Sequence, residues 1–259
     1  MRGLSNKVAV VTGGASGIGA AIARRFTQEG ARVFITDIQE PAGAALAREL
    51  NATFLPHDVA SPESWRTVID QIEAQAGKMH FLVNNAGIAG AFANADPETT
   101  RIEDWRMVNR VNVEGVFLGC QTAIPLIRAT GGGAITNFSS TAALSPTPEF
   151  IAYGASKAAV AHMTKSVASH CANNRYNIRC NSVHPSIIIT PMFTQIADQL
   201  GQKRQQSGEA MTKAFQANLP QGESPAADDV ASAVMFLSSD EARFITGTSM
   251  VIGSISPLG

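Results

Sequence analysis

Short apolar runs alternate along the chain with longer stretches in which apolar residues recur at helical spacing. Several of the runs are almost continuously apolar, which is typical of parallel strands covered on both faces. The candidate strands are KVAVVTG, ARVFITD, ATFLPHD, HFLVNNAG, GAITNFSS, NIRCNSVHP and TSMVIG. The helical stretches include Gly19–Gln28, Ser64–Ala76, Val111–Thr130, Tyr153–Asn173 and Asp228–Leu237. This alternation predicts an α/β fold, a doubly wound parallel seven-stranded sheet with helices on both faces.

No repeat or low-complexity linker breaks the alternation, so the sequence predicts a single domain over residues 1–259. An irregular section, about residues 190–227, is rich in Gln, Gly, Ser and Pro. Large apolar residues are scattered through it: Met192, Phe193, Ile196, Leu200, Met211 and Phe215. Two interpretations stay open for this section, a lid over a cleft and an ordinary surface helix pair with apolar side chains packed inward.

Composition bears on partners and location. Of 259 residues, 45% are hydrophobic and 16% charged, which is enough apolar material for a large core. The formal net charge of −1 disfavours nucleic acid and anionic membranes as partners. No apolar run approaches the roughly 20 residues of a membrane span, and the start MRGLSNK has no signal-peptide core. Because the cysteines and histidines lack C-x-x-C and H-x-x-x-H spacing, we expect a cytoplasmic protein without disulfides or a metal.

A glycine-rich segment, TGGASGIG, follows the first strand directly and leads into a helix. Backbone amides at such a turn lie at the helix N-terminus, where the positive end of the helix dipole favours a pyrophosphate. Gly13, Gly17 and Gly19 allow a tight turn and let a phosphate approach the main chain. The segment therefore predicts a dinucleotide site, with a purely structural turn as the alternative.

Asp37 closes the second predicted strand and indicates which dinucleotide binds. A carboxylate in that place accepts a hydrogen bond from a ribose 2′-hydroxyl and repels a 2′-phosphate. The residues that follow, Ile38 and Gln39, offer no cation to a phosphate, and Arg24 and Arg25 lie further along the helix. The sequence therefore predicts NAD rather than NADP.

Two further strand ends point to the same site. Asp58 and Val59 end the third strand, where the acidic side chain and the neighbouring backbone could meet adenine. A helix-start cap is the alternative for Asp58. The segment NNAG, residues 84–87, ends the fourth strand, and its amides followed by small residues suit backbone packed beside a dinucleotide. An ordinary turn is the alternative there.

Tyr153 and Lys157 lie four residues apart in a predicted helix, on one face and about 6 Å apart along the axis. We expect the ammonium group of Lys157 to lower the pKa of Tyr153 from its ordinary value near 10. Ser140 ends the fifth strand and can bring a hydroxyl to the mouth of the same cleft. Together the three groups predict proton abstraction from an alcohol whose hydride passes to nicotinamide. Taken singly, they are a packing tyrosine, a solvated lysine and a capping serine.

TGGASGIG, NNAG, Asn112, Ser140 and YGASK, in this order and spacing, resemble the motifs of the short-chain dehydrogenase/reductase family. The resemblance covers essentially the whole chain and implies a single-domain Rossmann fold and a homotetramer. It implies that Tyr153 is the general acid/base, that Lys157 binds the nicotinamide ribose, and that Ser140 orients the substrate oxygen. Asn112 would hold a water that connects Lys157 to solvent. With the strand ends above, the predicted cofactor contacts are Gly13, Ser16, Gly17, Ile18, Gly19, Asp37, Ile38, Asp58, Val59, Asn85, Ala86, Gly87, Tyr153, Lys157, Pro185, Ile188 and Thr190.

The sequence departs from the family pattern in two places. After the sixth strand the family usually has Pro-Gly, whereas here Ser186 follows Pro185. Where many members have Val-Asp-Gly-Gly near the C-terminus, this chain has IGSI, residues 252–255, and then SPLG. We expect the first departure to alter the backbone beside the nicotinamide pocket. We expect the second to alter the C-terminal contribution to the pocket or to subunit contacts.

The predicted substrate pocket is mostly apolar and holds no Arg or Lys that could clamp a carboxylate or phosphate. Its residues are Thr141, Ala142, Leu144, Pro146, Thr147 and Pro148 after Ser140, and Ile88, Ala89 and Phe92 after Gly87. Such a pocket suits a hydrophobic, cyclic secondary alcohol and its ketone. CQTAIPLIRATGG and HPSIIITPM resemble bacterial 3β/17β-hydroxysteroid and cyclic-alcohol dehydrogenases. The alternatives are a ketoreductase for 3-oxoacyl thioesters and a non-catalytic NAD-binding protein of the same fold.

Overall fold

The computed structural model describes residues 1–91, 94–217, 219 and 222–254. Parallel strands form one sheet in the order β3-β2-β1-β4-β5-β6-β7. The strands are β1 (Val8–Thr12), β2 (Arg32–Asp37), β3 (Thr53–Pro56), β4 (Phe81–Asn84), β5 (Gly133–Phe138), β6 (Ile178–Pro185) and β7 (Ser249–Ile252). The prediction of a doubly wound, seven-stranded α/β sheet is confirmed.

Helices cover both faces of this sheet. They are α1 (Gly17–Gln28), α2 (Glu40–Leu50), α3 (Pro62–Ala76), α4 (Ile102–Asn109), α5 (Gly115–Ala129), α6 (Ile151–Asn173), α7 (Pro191–Arg204), α8 (Gly208–Ala217) and α9 (Ala227–Ser238). The predicted helix Val111–Thr130 starts too late, because α4 continues into α5 through a π-helical turn at Arg110–Glu114. Within the described residues, no helix is both long enough and apolar enough to cross a membrane.

The apolar character of β1 follows from its place between two helical layers. Val8 and Val10 pack into a core with side chains of α3, α5 and α6. Ala9 and Val11 point the other way, into a core with α1, α2 and α9. Successive side chains of a strand face opposite sides, so a strand covered on both faces must be apolar at every position.

The order of the strands reverses at β1, and this reversal places the site. β1 pairs with β2 on one side and with β4 on the other, and the connections leave towards opposite edges of the sheet. In open parallel sheets a crevice forms at the carboxyl ends of the strands at this point. The glycine-rich turn, Asp37 and the NNAG segment all follow strands that end there.

Candidate active site

The glycine-rich turn is packed tightly between β1 and α1. Gly13 and Gly17 have φ values of +62° and +53°, in the left-handed region that favours glycine. A Cβ atom on Gly19 would lie 2.1 Å from the carbonyl oxygen of Gly13, so no side chain fits there unless the main chain moves. Ser16 is the N-cap of α1, but its side chain makes no capping hydrogen bond and the first turn holds no acidic residue. The helix N-terminus is therefore open to an anion.

Asp37 lies at the end of β2 and faces this turn. Its carboxylate is 6% exposed and accepts hydrogen bonds from the main-chain N–H groups of Ala15, at 3.0 Å, and Gln39, at 2.9 Å. These bonds fix the orientation of the carboxylate beside the turn. Arg24 forms an ion pair with Glu49 on α2, so its charge is directed away from the site.

The segment after β4 is fastened to the turn through hydrogen bonds. Nδ2 of Asn85 donates to the carbonyl oxygens of Thr12, at 2.9 Å, and Gly13, at 3.0 Å. The hydroxyl of Thr12 accepts from the N–H groups of Asn85 and Ala86, both at 3.1 Å. The side chain of Asn85 thus supports the turn, in addition to its position at the edge of the cleft.

The predicted adenine contacts lie at the exposed end of the site. Asp58 is exposed and accepts a hydrogen bond from the N–H of Ala60 at 2.9 Å, while Ser61 caps α3. The helix-cap alternative for Asp58 is therefore wrong, and its carboxylate stabilises the preceding turn. Val59 is 8% exposed, whereas Ile38 is 72% exposed and leaves a large apolar side chain at this end.

Ser140 and Tyr153 meet at the opposite end of the site. Ser140 follows β5, and its Oγ accepts a hydrogen bond from the N–H of Ala142 at 3.1 Å. This bond caps a short 3-10 turn, Thr141–Ala143. The hydroxyl of Ser140 also hydrogen-bonds the hydroxyl of Tyr153, which is half-buried in the first turn of α6. A hydroxyl that accepts from an amide keeps its own hydrogen, so Ser140 can still act as a donor.

Lys157 lies one turn further along α6, with Nζ 5.6 Å from the centroid of the Tyr153 ring. Its ammonium group donates to the carbonyl oxygen of Phe138 at 2.9 Å. The residue is 5% exposed, and burial lowers its pKa to about 8. Ser139 donates its hydroxyl hydrogen to the carbonyl of Lys157 at 2.8 Å and ties α6 to the end of β5.

The pKa of Tyr153 is shifted upward and not downward as expected, and the causes of the shift do not include Lys157. Burial raises the pKa of Tyr153 above its ordinary value, and the hydrogen bond from Ser140 offsets only part of this rise. The spacing of the two residues correctly placed them on one helical face. It could not show that the ammonium hydrogen would go to the carbonyl of Phe138.

Asn112 lies in the π-helical turn and is completely buried. Its side-chain amide accepts from the N–H of Ile88 at 2.8 Å and donates to the carbonyl of Ile88 at 2.9 Å and to Oγ of Ser156 at 3.0 Å. A Cβ on Gly87 would lie 3.1 Å from Oδ1 of Asn112 and 3.3 Å from Nζ of Lys157. Both side chains therefore lie close to the space beside Gly87 that a larger residue would fill, and the predicted proton relay through Asn112 stays a prediction.

A cleft of about 360 Å³ unites these groups. The predicted site residues that line it are Ile18, Asn85, Gly87, Ser140, Tyr153, Lys157, Pro185, Ile188 and Thr190. The predicted site residues that do not line it are Gly13, Ser16, Gly17, Gly19, Asp37, Ile38, Asp58, Val59, Ala86 and Asn112. Apart from the buried Asn112, these belong to the glycine-rich turn and to the ends of β2, β3 and β4.

Helices α7 and α8 form the outer wall of the cleft. The apolar residues that they and the following segment contribute are Met192, Phe193, Ile196, Phe215 and Leu219. Phe193 and Phe215 contact each other edge to face, with ring centroids 5.7 Å apart. Leu200 and Met211 join the same cluster, almost fully buried. The section is thus a helix pair with apolar side chains packed inward, and its inner side is the cleft.

The inner wall agrees in part with the predicted pocket. Thr141, Ala142, Pro146 and Thr147 line the cleft, whereas Leu144 is 44% exposed and does not. Phe92 lies outside the described residues. Sequence reasoning missed Ser145, Phe150, Ile187 and Leu219, which line the cleft because of how the loops fold back.

The two departures from the family pattern meet in space. The N–H of Ser186 donates to the carbonyl of Ile252 at 2.9 Å, and a Cβ on Gly253 would lie 2.1 Å from Oγ of Ser186. Ser186 therefore packs against the chain leaving β7. Thr190, predicted to contact the cofactor, caps α7 through the N–H of Phe193 at 3.3 Å. Residues 255–259 of the unusual tail lie outside the described part of the chain.

Comparison with known proteins gives consistent matches along the chain. A family model described as enoyl-(acyl carrier protein) reductase matches residues 13–254. The chain is 37% identical over 250 residues to the 3-beta-hydroxysteroid dehydrogenase of Comamonas testosteroni, covering 95% of this chain and 94% of that one. It is also 37% identical to the NADP-dependent (R)-specific alcohol dehydrogenase of Lentilactobacillus kefiri, with 96% of each chain covered.

A solved structure extends the likeness to three dimensions. The ligand-free aldohexose dehydrogenase of Thermoplasma acidophilum superposes with a TM-score of 0.88 and 34% identity, covering 99% of this chain and 97% of that one. The three named relatives are all dehydrogenases and differ in substrate. The chain belongs to the short-chain dehydrogenase/reductase family and is an oxidoreductase acting on alcohol groups.

Proposed function

We propose that this protein is an NAD-dependent oxidoreductase that interconverts a hydrophobic, cyclic secondary alcohol of the hydroxysteroid type and its ketone. One observation carries the proposal. Ser140, Tyr153 and Lys157 open together on a largely apolar cleft that reaches Ile18 in the glycine-rich segment. In this proposal Tyr153 is the general acid/base, Ser140 orients the substrate oxygen, and Lys157 holds the nicotinamide ribose.

The residues present fit an NAD molecule that lies across the strand ends. The uncapped N-terminus of α1 offers main-chain N–H groups to a pyrophosphate. Asp37, held by two amides, keeps lone pairs for a ribose hydroxyl and repels a 2′-phosphate. The relative from Lentilactobacillus kefiri is named NADP-dependent, so similarity to relatives does not decide between NAD and NADP. The proposal of NAD therefore rests on Asp37.

The chain's own groups handle the proton of the substrate oxygen. The bound nicotinamide supplies the hydride acceptor or donor. Tyr153 exchanges the proton, and Ser140 donates its hydroxyl hydrogen to the oxygen while its Oγ accepts from the N–H of Ala142. Burial keeps the phenol of Tyr153 protonated near neutral pH, since its pKa is raised. In that state it is ready to donate a proton to a ketone, whereas oxidation of the alcohol needs the phenolate.

The cleft lining supports an apolar, ring-shaped substrate. Among the described residues that line it, Lys157 is the only charged one, so a carboxylate or phosphate would find no separate partner. The walls are formed by side chains such as Pro146, Phe150, Ile187 and Phe215. Apolar walls with a few polar groups at one end bury a ring system and orient a single oxygen.

The first test is the formation of NADH from a panel of alcohols, with NAD⁺ and NADP⁺ compared side by side. The panel holds 3β- and 17β-hydroxysteroids, cyclohexanol-type alcohols, aryl secondary alcohols and linear 3-hydroxyacyl thioesters. We expect turnover of the cyclic alcohols with NAD⁺. Turnover of the thioesters alone, with NADP⁺, would contradict both the substrate class and the interpretation of Asp37.

We also propose a homotetramer in the cytoplasm. Ile102 and Met107 of α4 and Phe117 of α5 are large apolar side chains about half exposed, which suits contact with another copy of the chain. Cys120, Cys171 and Cys180 are free and buried, which suits a reducing compartment. Light scattering of the purified protein measures the first point. A monomer in solution would contradict it.

A further inference from the structure

His184 lies near the end of β6, directly behind the candidate site, and the roles proposed above do not use it. The residue is completely buried. Its Nδ1 lies 3.1 Å from the carbonyl oxygen of Ser140, and its Nε2 lies 2.9 Å from Oγ of Ser182. Both ring nitrogens therefore take part in hydrogen bonds, and Nδ1 bonds the main chain of Ser140, which lines the cleft.

The contacts fix the proton on the imidazole ring. A carbonyl oxygen can only accept, so Nδ1 must carry the hydrogen that is donated to Ser140. Nε2 is then bare and accepts from the hydroxyl of Ser182 at 2.9 Å, a shorter contact than the 3.2 Å from the same hydroxyl to the carbonyl of Thr248. Burial lowers the pKa of His184, and the nearby charges of Lys157 and Lys165 lower it too, so the ring is neutral.

The anchored carbonyl belongs to a residue that the sheet no longer holds. β5 ends at Phe138. The main-chain hydrogen bond that follows, from the N–H of Ser139 to the carbonyl of Val183 at 2.9 Å, joins the end of this strand to β6. The carbonyl of Ser140 accepts two hydrogen bonds, from the N–H of Ala143 at 3.0 Å and from His184. The first is internal to the 3-10 turn, so His184 supplies the link from this carbonyl to β6.

We propose that His184 is a positioning residue, which holds the main chain of Ser140 so that its hydroxyl points at Tyr153 and at the substrate oxygen. This inference rests on the proposed function. If the link is lost, the long contact from the hydroxyl of Thr141 to the carbonyl of Pro185, at 3.5 Å, remains between the 3-10 turn and β6, and the turn can shift and carry the hydroxyl of Ser140 away from Tyr153. Displacement of a reacting group by about 1 Å can cost on the order of 10²-fold in rate.

Two amide substitutions separate positioning from mere filling of the core. In His184→Asn the amide nitrogen can take the place of Nδ1 and still donate to the carbonyl of Ser140. In His184→Gln the amide reaches the place of Nε2, so the contact with Ser182 can remain while the donor to Ser140 is lost. We expect His184→Gln to lower kcat by about 10- to 100-fold with the KM for NAD⁺ unchanged. His184→Asn should stay within about threefold of the parent enzyme.

A matched control accounts for loss of stability. Val234 is a completely buried residue of α9 in the core on the other side of β1, and Val234→Ala removes apolar volume there without touching Ser140. Thermal unfolding is followed for every variant. If His184→Gln and Val234→Ala lower the Tm equally and both keep the parent kcat, the role of His184 is structural and the proposal is wrong.

A second readout does not depend on the substrate. The chain has only two tyrosines, so in a Tyr176→Phe background the near-ultraviolet absorbance of tyrosinate reports Tyr153 alone. Loss of the hydrogen bond from Ser140 removes the contact that lowers the pKa of Tyr153. We therefore expect the titration to move to higher pH in His184→Gln and to stay in place in His184→Asn, with circular dichroism confirming that the protein is folded.

The two readouts keep this inference distinct from the proposed function. A parent enzyme inert towards cyclohexanol and a 3β-hydroxysteroid, or an active Tyr153→Phe variant, would contradict the proposed function, and the titration would still decide the role of His184. Equal titration curves for the parent and His184→Gln would overturn the positioning role. So would a kcat for His184→Asn as low as that for His184→Gln.

Discussion

At the glycine-rich end of the site, side chains hydrogen-bond the main chain and hold it in place. Thr12 and Asn85 use their polar groups to hold the turn, and the surface left for a ligand is backbone. At the other end, the main chain serves side chains, because the carbonyl of Phe138 holds Lys157 and the N–H of Ala142 holds Ser140. Substitutions at the first end should therefore act through volume and geometry, and those at the second through chemistry.

Removal of the phenol at the chemical end should have the largest effect. Tyr153→Phe keeps the ring and its packing but has no proton to exchange, so kcat should fall on the order of 10²- to 10⁴-fold. The affinity for NADH, measured by fluorescence, should stay close to that of the parent enzyme. Tyr176→Phe is the matched control, since Tyr176 packs against Arg128 away from the cleft. Retention of kcat in Tyr153→Phe would remove Tyr153 from the mechanism.

A single methyl group should have the next largest effect, at the backbone end. Gly19→Ala would place Cβ 2.1 Å from the carbonyl of Gly13 and distort the turn. We expect the KM for NAD⁺ to rise at least about tenfold, with a smaller change in kcat once cofactor is saturating. Ala20→Gly is the control, because it weakens α1 by about 1 kcal/mol without adding volume. An unchanged KM in Gly19→Ala would show that the turn does not hold the cofactor.

Asp37 is the exception at the backbone end, because its charge is expected to matter as well as its shape. The N–H groups of Ala15 and Gln39 bond different oxygens of Asp37, so Asp37→Asn, with a single oxygen, can keep only one of these two bonds. The variant also no longer repels a 2′-phosphate. The ratio of kcat/KM with NAD⁺ to that with NADP⁺ should fall about tenfold. Asp58→Asn, a carboxylate at the exposed end, serves as control and should leave the ratio nearly unchanged.

The smallest effect should be a displacement along the pH axis. Oxidation needs the phenolate of Tyr153, whose pKa is raised, so kcat/KM for the alcohol should increase with pH, by up to about tenfold per unit, while ketone reduction does not increase. Ser140→Ala removes the hydrogen bond that lowers this pKa, and its oxidation curve should move to higher pH. Ser140→Thr retains a hydroxyl and should follow the parent curve. A shift to lower pH in Ser140→Ala would reverse the assigned direction.

Much of the fold could be predicted from the sequence, because parallel strands buried on both faces consist of nearly continuous apolar runs. Most of the predicted cofactor contacts also lie at or just after strand ends, where the topology brings them together. Other features depended on packing that no local pattern encodes. The π-helical turn joins α4 to α5, so the helical segment begins earlier than predicted. The ammonium group of Lys157 donates a hydrogen bond to the carbonyl of Phe138, and Leu219 lines the cleft although it lies in a polar segment. His184 looked like an ordinary strand residue because its partner lies 44 positions away.

The π-helical turn at Arg110–Glu114 makes the length of this segment as important as its composition. A π-helical turn holds about one residue more than an α-helical turn, so loss of one residue here would close it to an α-helical turn and change the direction in which the side chains of the turn point. Asn112 would then turn away from Ile88 and Ser156, although every other residue of the site remained in the sequence. Substitutions can accumulate in these two helices, whereas a one-residue deletion between them should not be tolerated. The number of residues in this segment must therefore be kept in any variant of the chain that is to remain functional.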